Sequence, residues 1–276
     1  MEEKITYDVK AVLEKYMPSF LKLLGSNHIP WMKISVKLQL HIEELKKELL
    51  ENPKALVCDA TFFSVLKSKL KGDGLGDAQF DFYNQLFTDL HQILSPKERK
   101  LLGGILKSVL IQLEKDYLHF IGELSALYFY KINTNFELLK VEEKLFDHRK
   151  ISADFKFVNP ETNNIYLLEV LNIHLEHREN LSTETLDKII TSKLDLKLKS
   201  KEAASKKNMS LQPLIWCKDI NQIKLVYNYY KSCSIPEQTH KPLGYLSFKT
   251  PDGNLYHRVN FMDEILNDYD SFIFEK

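Results

Sequence analysis

Apolar residues recur at helical spacing through about the first 130 residues of the chain. The first such stripe ends at Leu24, and Gly25 follows it as a helix C-cap. Further helices are predicted after Pro30, within residues 54–71, over residues 77–94 and in one long segment that opens at Ser95. The stripe of this long segment has ten apolar positions: Leu106, Val109, Leu110, Leu113, Tyr117, Phe120, Ile121, Leu124, Leu127 and Tyr128. The pattern predicts an all-helical N-terminal region.

After Lys131 the hydrophobic period changes. Residues 153–158 alternate with a period of two, residues 159–164 have the composition of a turn, and residues 165–173 are almost continuously apolar. Residues 136–139 and 211–217 are also strand-like. Helices are predicted from Ser182 or Thr183 to about Lys207 and over residues 220–231, followed by a hairpin that turns at residues 251–253. We therefore predict a helical N-terminal region over residues 1–100 and an α+β, mixed α/β domain over residues 101–276.

Composition narrows the class of protein. The 276 residues contain 38 basic and 38 acidic side chains, so any nucleic-acid contact has to come from a local basic patch. No apolar run approaches the roughly 18 residues that a membrane span needs, and the charged N-terminus does not resemble a secretion signal. Three widely spaced cysteines indicate reduced thiols. We expect a soluble cytoplasmic protein with no membrane partner.

Two acidic residues lie in strands that the turn at residues 159–164 joins. Asp154 is near the start of one strand and Glu169 interrupts the apolar run of the next, so antiparallel pairing is expected to bring their carboxylates together. Such a pair suits a hard divalent cation, Mg²⁺ or Mn²⁺. Glu123, beside the stripe of the preceding helix, is expected to reach the same site. The alternative is that both strand acids are exposed and pair with Lys156 or Arg149.

The order helix with Glu123, strand, strand with Asp154, turn, strand with Glu169, helix and strand resembles the PD-(D/E)XK nuclease superfamily. The resemblance covers about residues 105–220 and implies a restriction-endonuclease-like α-β-β-β-α-β core. It also implies Asp154 and Glu169 as metal ligands, with Glu123 assisting. The family's usual lysine, two residues after the second acid, is Leu171 here.

Some members of this superfamily supply the lysine from the following helix. There Leu186, Ile190 and Leu194 define an apolar stripe, and Lys193 and Lys197 project near its middle. Lys193 is the predicted catalytic lysine. The alternative is that these lysines extend from the edge of a packed face into solvent.

The same helix is basic, and together with residues 148–150 it is a candidate phosphate-binding rim; a solvated helix face is the alternative. The resemblance implies a metal-dependent nuclease that hydrolyses phosphodiesters, with DNA favoured over RNA. The helical region would recognise the substrate or a partner protein. The other hypothesis is a catalytically inactive nuclease-like module that binds nucleic acid or protein.

Overall fold

The computed structural model describes residues 7–53, 61–71, 74–113, 116–145, 152–176, 178–205, 209–233, 239–249 and 255–274. The chain forms two compact units, and the boundary between them lies between Ile121 and Gly122. The sequence pattern placed this boundary near residue 100. The first unit extends further because the helices that follow residue 95 pack against earlier helices of that unit. The described residues contain no helix that is long and apolar enough to cross a membrane.

The first unit is built from helices. They are α1 (Val9–Tyr16), α2 (Pro18–Leu24), α3 (Trp31–Glu51), α4 (Phe62–Lys71), α5 (Gly74–Ile93), α6 (Pro96–Leu101), α7 (Gly103–Ile111) and the start of α8 (Tyr117–Asn133). Its core holds a cluster of aromatic rings with centroids 5.2–6.3 Å apart, formed by Phe20, Phe62, Phe63, Tyr83, Phe87 and Tyr117. Gly25 has a φ of +56°, which fits the predicted end of α2.

The prediction of one long helix from Ser95 is wrong in one respect, because the structure divides that segment into α6, α7 and α8. Its start is as expected: Ser95 and Glu98 form a reciprocal capping box. Adjacent glycines then follow at positions 103 and 104, and Gln112 takes an extended backbone conformation that ends α7. The apolar stripe that begins at Leu106 continues across the break between α7 and α8, so periodicity alone did not reveal that break.

The second unit contains the rest of α8 and all strands of the described chain. Its other elements are β1 (Glu137–Lys144), β2 (Ser152–Val158), β3 (Ile165–His174), α9 (Thr183–Ser205), β4 (Met209–Trp216), α10 (Ile220–Ser232), β5 (Leu243–Lys249), β6 (Leu255–Phe261) and α11 (Met262–Phe274). The prediction of a mixed α/β architecture is confirmed. The helix α11 was not predicted, and the hairpin turn at residues 251–253 lies outside the described residues.

The six strands form one open sheet in the order β1-β2-β3-β4-β5-β6. Strands β1, β2 and β3 pair antiparallel, β4 is parallel to both β3 and β5, and β6 is antiparallel to β5. Apolar side chains of α9, α10 and α11 join those of β3, β4 and β5 in a buried cluster on one face. Residues of α8 contact the sheet as well, with Tyr130 stacked on Phe157. The acid-bearing strands are therefore central or next to the centre of the sheet.

Candidate active site on β2, β3, α8 and α9

The strands β2 and β3 separate at the point where the two predicted acids lie. Their paired register runs from Val158 and Ile165 to Phe155 and Leu168. Beyond that point, the backbone N–H of Val170 donates to Asp154 Oδ2 at 2.7 Å. The carboxylate of Asp154 is thus held against β3, at the residue that follows Glu169. The Asp154 side chain therefore accepts the backbone N–H of Val170, a donor that would pair with the neighbouring strand if the β2–β3 hydrogen bonds continued.

Glu169 is buried within β3, and its side chain is 1% exposed. Its Oε1 accepts a hydrogen bond from the ammonium group of Lys197, which comes from α9. The Lys197 side chain remains 38% exposed, so this ion pair joins a buried acid to a partly solvated base. A buried carboxylate needs such a partner because its desolvation is costly.

Glu123 brings a third carboxylate to these two acids from α8. Burial raises the pKa of Glu123 well above its usual value, and the negative charges of Asp154 and Glu169 raise it further. Burial lowers the pKa of Lys197, but the charge of Glu169 and its hydrogen bond outweigh this effect, so the pKa is raised. Asp154 and Glu123 add to that increase. The four side chains therefore form one electrostatic unit, which we call the acid cluster: Glu123, Asp154, Glu169 and Lys197.

A glycine beside Glu123 lets α8 approach the sheet closely. A Cβ atom added at Gly122 would lie 2.1 Å from Asn172 Oδ1 and 3.0 Å from Leu214 Cδ2. The amide oxygen of Asn172 is itself fixed, since it accepts a hydrogen bond from Trp216 Nε1 at 3.0 Å. This contact sets the position of the helix backbone that carries Glu123.

The lysine that contacts the acids is Lys197, whereas the sequence pattern favoured Lys193. The ammonium of Lys193 instead donates to the backbone carbonyl of Asn172 at 3.2 Å. The helix α9 follows β3 and runs back along it, so later helix residues lie beside earlier strand residues. Lys197 therefore reaches Glu169, while Lys193 reaches a point three residues further along the strand. The direction of the connection from β3 into α9 was the signal that could have identified Lys197 from the sequence.

Leu171 occupies the position where the resembled family has its lysine. Its side chain is 4% exposed and belongs to the buried cluster that also contains Ile190 of α9. The residues at 169 and 171 lie on the same face of β3 because side chains alternate along a strand. Leu171 therefore packs against α9. The ammonium group of the acid cluster is that of Lys197, which comes from α9.

The acid cluster has the chemistry to hold a hard divalent cation. Within the described ranges, no group of three or more His, Cys, Asp or Glu side chains has the arrangement of a metal-binding site. Mg²⁺, however, is commonly held by only one or two carboxylates together with water and substrate phosphate. Asp154 and Glu169 meet that lesser requirement, and their negative charges add to the burial that raises the pKa of Glu123. Carboxylate oxygens are the type of ligand that Mg²⁺ and Mn²⁺ take.

The predicted phosphate-binding rim falls partly outside the described residues, which omit residues 148–150 and 206–208. Lys188 and Lys199 of α9 are exposed. No protein-family model, no curated protein and no solved structure matches the chain. The candidate site therefore rests on the geometry of the acid cluster.

The raised pKa of Glu123 makes a prediction about stability. Between the ordinary carboxyl pKa and the raised one, the folded state binds more protons than the unfolded state. The free energy of unfolding therefore falls as pH rises through this interval, and stability is greatest below it. Glu123→Gln removes this loss, so in EDTA it should stabilise the protein at pH 8 by on the order of 1 kcal/mol and give little gain at pH 4.

Urea denaturation of both proteins between pH 4 and pH 8 measures this difference. Glu137→Gln, which changes an exposed acid of β1, is the matched control and should leave the pH profile unchanged. A Glu123→Gln protein that is less stable than wild type at pH 8 would contradict the raised pKa that burial and the neighbouring acids give to Glu123.

Proposed function

We propose that this protein is a metal-dependent nuclease of the PD-(D/E)XK type that hydrolyses phosphodiester bonds, with DNA as the favoured substrate. One observation carries the proposal: carboxylates from α8, β2 and β3 converge, and an ammonium group from α9 joins them. Glu123, Asp154 and Glu169 are far apart in the sequence, and folding alone does not require three acids to lie together. Such a cluster is characteristic of a catalytic site.

The order of elements around the acid cluster supports the same proposal. The helix α8 precedes an antiparallel β1-β2-β3 meander, and α9 then crosses over to β4, which is parallel to β3. This is the α-β-β-β-α-β order of the superfamily that the sequence resembles. Each acid also lies on the element where that resemblance expects it.

Each member of the acid cluster has a chemical role in this proposal. A bound Mg²⁺ or Mn²⁺ supplies Lewis-acid stabilisation of the charged phosphate. Asp154, oriented by the Val170 N–H, and Glu169 provide the oxygen ligands. Lys197 stays charged at neutral pH, because its pKa is raised, and orients Glu169 and a substrate phosphate oxygen.

Glu123 is the proposed proton acceptor. Burial, together with the charges of Asp154 and Glu169, raises its pKa well above the usual carboxyl value, so Glu123 binds a proton more readily than an ordinary carboxylate does. In hydrolysis, water oxygen bonds to phosphorus while Glu123 takes the proton, and the bond from phosphorus to the leaving oxygen breaks. The leaving oxygen is then protonated by solvent.

Calorimetric titration of Mn²⁺ tests the proposal without requiring a known substrate. Wild type should bind one Mn²⁺, and Asp154→Ala should weaken that binding by about tenfold or more because one of two carboxylate ligands is lost. Asp195→Ala, which removes an exposed acid of α9, is the matched control and should bind as wild type does. Equal binding by wild type and Asp154→Ala would contradict the proposed metal site.

A second candidate function is an inactive nuclease-like module that binds nucleic acid or protein. Lys197 favours it, because an ammonium group on Glu169 already balances part of the negative charge without a metal. This module would bind DNA equally well in EDTA and in Mn²⁺ and would cut neither DNA nor RNA. In both candidates, a cytoplasmic location and recognition through the helical unit are part of the proposal.

A further inference from the structure

One edge of β3 continues past the acid cluster, and the described residues pair no strand with it beyond Leu168. Backbone groups of residues two apart point to the same edge of a strand. On this edge the Val170 N–H binds Asp154 Oδ2, and the Asn172 carbonyl accepts a hydrogen bond from Lys193 Nζ at 3.2 Å. Two residues of a strand span about 7 Å. An ammonium group therefore lies a short step along the strand edge from a proposed metal ligand.

Lys193 and Arg178 both bring positive charge to this part of the strand edge. Burial lowers the pKa of Lys193, and the charge of Arg178 lowers it further, so the two cations lie near each other. The charge of Glu176 acts in the opposite direction, but that carboxylate is bonded to His174 Nδ1 at 2.9 Å. Neither cation forms an ion pair with a carboxylate in the described part of the chain. An anion between them would relieve their repulsion.

The backbone that carries Arg178 is held in place by α10. The side-chain amide of Gln222 is buried and donates to the carbonyls of Leu175 at 3.1 Å and Arg178 at 3.2 Å. The backbone N–H of Arg178 also donates to the Leu175 carbonyl at 2.9 Å. Arg178 is nevertheless exposed, so a fixed backbone presents a solvent-accessible guanidinium. Such a group suits a phosphate, which arginine can bind through two parallel hydrogen bonds.

We propose that Lys193 and Arg178 bind the phosphate group next to the scissile one in a nucleic-acid strand. This rests on the proposed nuclease function, because the acid cluster defines where the scissile phosphate lies. The substrate strand runs along the open edge of β3, and a step of about 7 Å along that edge is comparable with one nucleotide. Lys193 is therefore a substrate-binding residue that takes no part in making or breaking bonds.

DNA binding in EDTA tests this contact on the full chain without cleavage. Fluorescence anisotropy with a labelled duplex of about 20 base pairs gives Kd at several salt concentrations, beginning at low salt. Combining Lys193→Met with Arg178→Met should raise Kd by about tenfold and reduce the slope of log K against log salt by about 0.9, because one phosphate contact is lost. Lys224→Met removes an exposed lysine of α10 and should keep the wild-type Kd and slope. No binding by wild type, or an unchanged slope in the double variant, would overturn the proposal.

Cleavage kinetics separate substrate binding from catalysis at Lys193. Lys193→Met should lower kcat/KM for DNA by about fivefold through KM, because the lost contact is made equally in the ground state and the transition state. With bis(4-nitrophenyl) phosphate, a diester that has no neighbouring phosphate, the loss should be less than about twofold. An equal fall in kcat on both diesters would make Lys193 a catalytic residue and overturn the proposal. If wild type cleaves neither diester, the nuclease proposal is contradicted, whereas the salt slope tests the phosphate contact in either case.

Discussion

Asp154→Asn is expected to lower Mg²⁺-dependent DNA cleavage by about 10³-fold or more while the protein stays folded. The substitution removes a charged ligand, and with it the metal's stabilisation of the transition state. The side-chain oxygen of asparagine can still accept the Val170 N–H bond that the structure shows. Removing one of three neighbouring negative charges should leave the melting temperature unchanged or raise it.

The cleavage assay compares supercoiled DNA, single-stranded DNA and RNA in Mg²⁺, Mn²⁺ and EDTA. Asp195→Asn carries the same chemical change at an exposed position of α9 and should cleave at the wild-type rate. Equal cleavage by Asp154→Asn and wild type would show that the acid cluster is not the active site. If purified wild type cuts none of these substrates with either metal, the inactive-module candidate replaces the nuclease proposal.

Lys197→Met is expected to destabilise the protein by about 2–4 kcal/mol at pH 7, because it leaves the fully buried Glu169 without the base that contacts it. The methionine retains most of the apolar stem, so lost packing contributes little. The second substitution Glu169→Gln should recover most of this loss, since it removes the charge that needed a partner.

Chemical denaturation of the two single variants and the double variant gives the coupling energy directly. Lys193→Met is the matched control one turn earlier on α9; it loses only a hydrogen bond to a carbonyl and should cost about 1 kcal/mol. If Lys197→Met and Lys193→Met are equally stable, the ion pair to Glu169 contributes little. Where wild type cleaves, Lys197→Met should also lower the rate by about 10²-fold.

Sequence patterning predicted the parts of the site that depend on strand alternation and connection length. The turn at residues 159–164 joins β2 and β3 as expected, and the antiparallel register then sets Asp154 beside the Glu169 region. These features follow from local rules, because a two-residue period and a short turn fix which side chains meet.

The features that patterning missed depend on where helices end and on the direction in which they run relative to the strands. An apolar stripe on α9 identifies its buried face but not its run relative to β3, so Lys193 and Lys197 were equivalent on the stripe. Similarly, the stripe over residues 106–128 hides the break after Ile111, where Gln112 takes an extended conformation. Helical periodicity records which positions are buried and carries no information on where one rigid segment ends.

The close approach at Gly122 has a consequence for finding relatives of this chain. A side chain at position 122 would meet the Asn172 amide, so a protein that shares this geometry needs glycine just before the helix carboxylate, or a smaller residue than asparagine on β3. An acidic pair on two strands is too short a motif to search with. A helical Gly-Glu dipeptide, followed by the strand Asp, the strand Glu and a lysine in the next helix, is a longer signature and a more selective query.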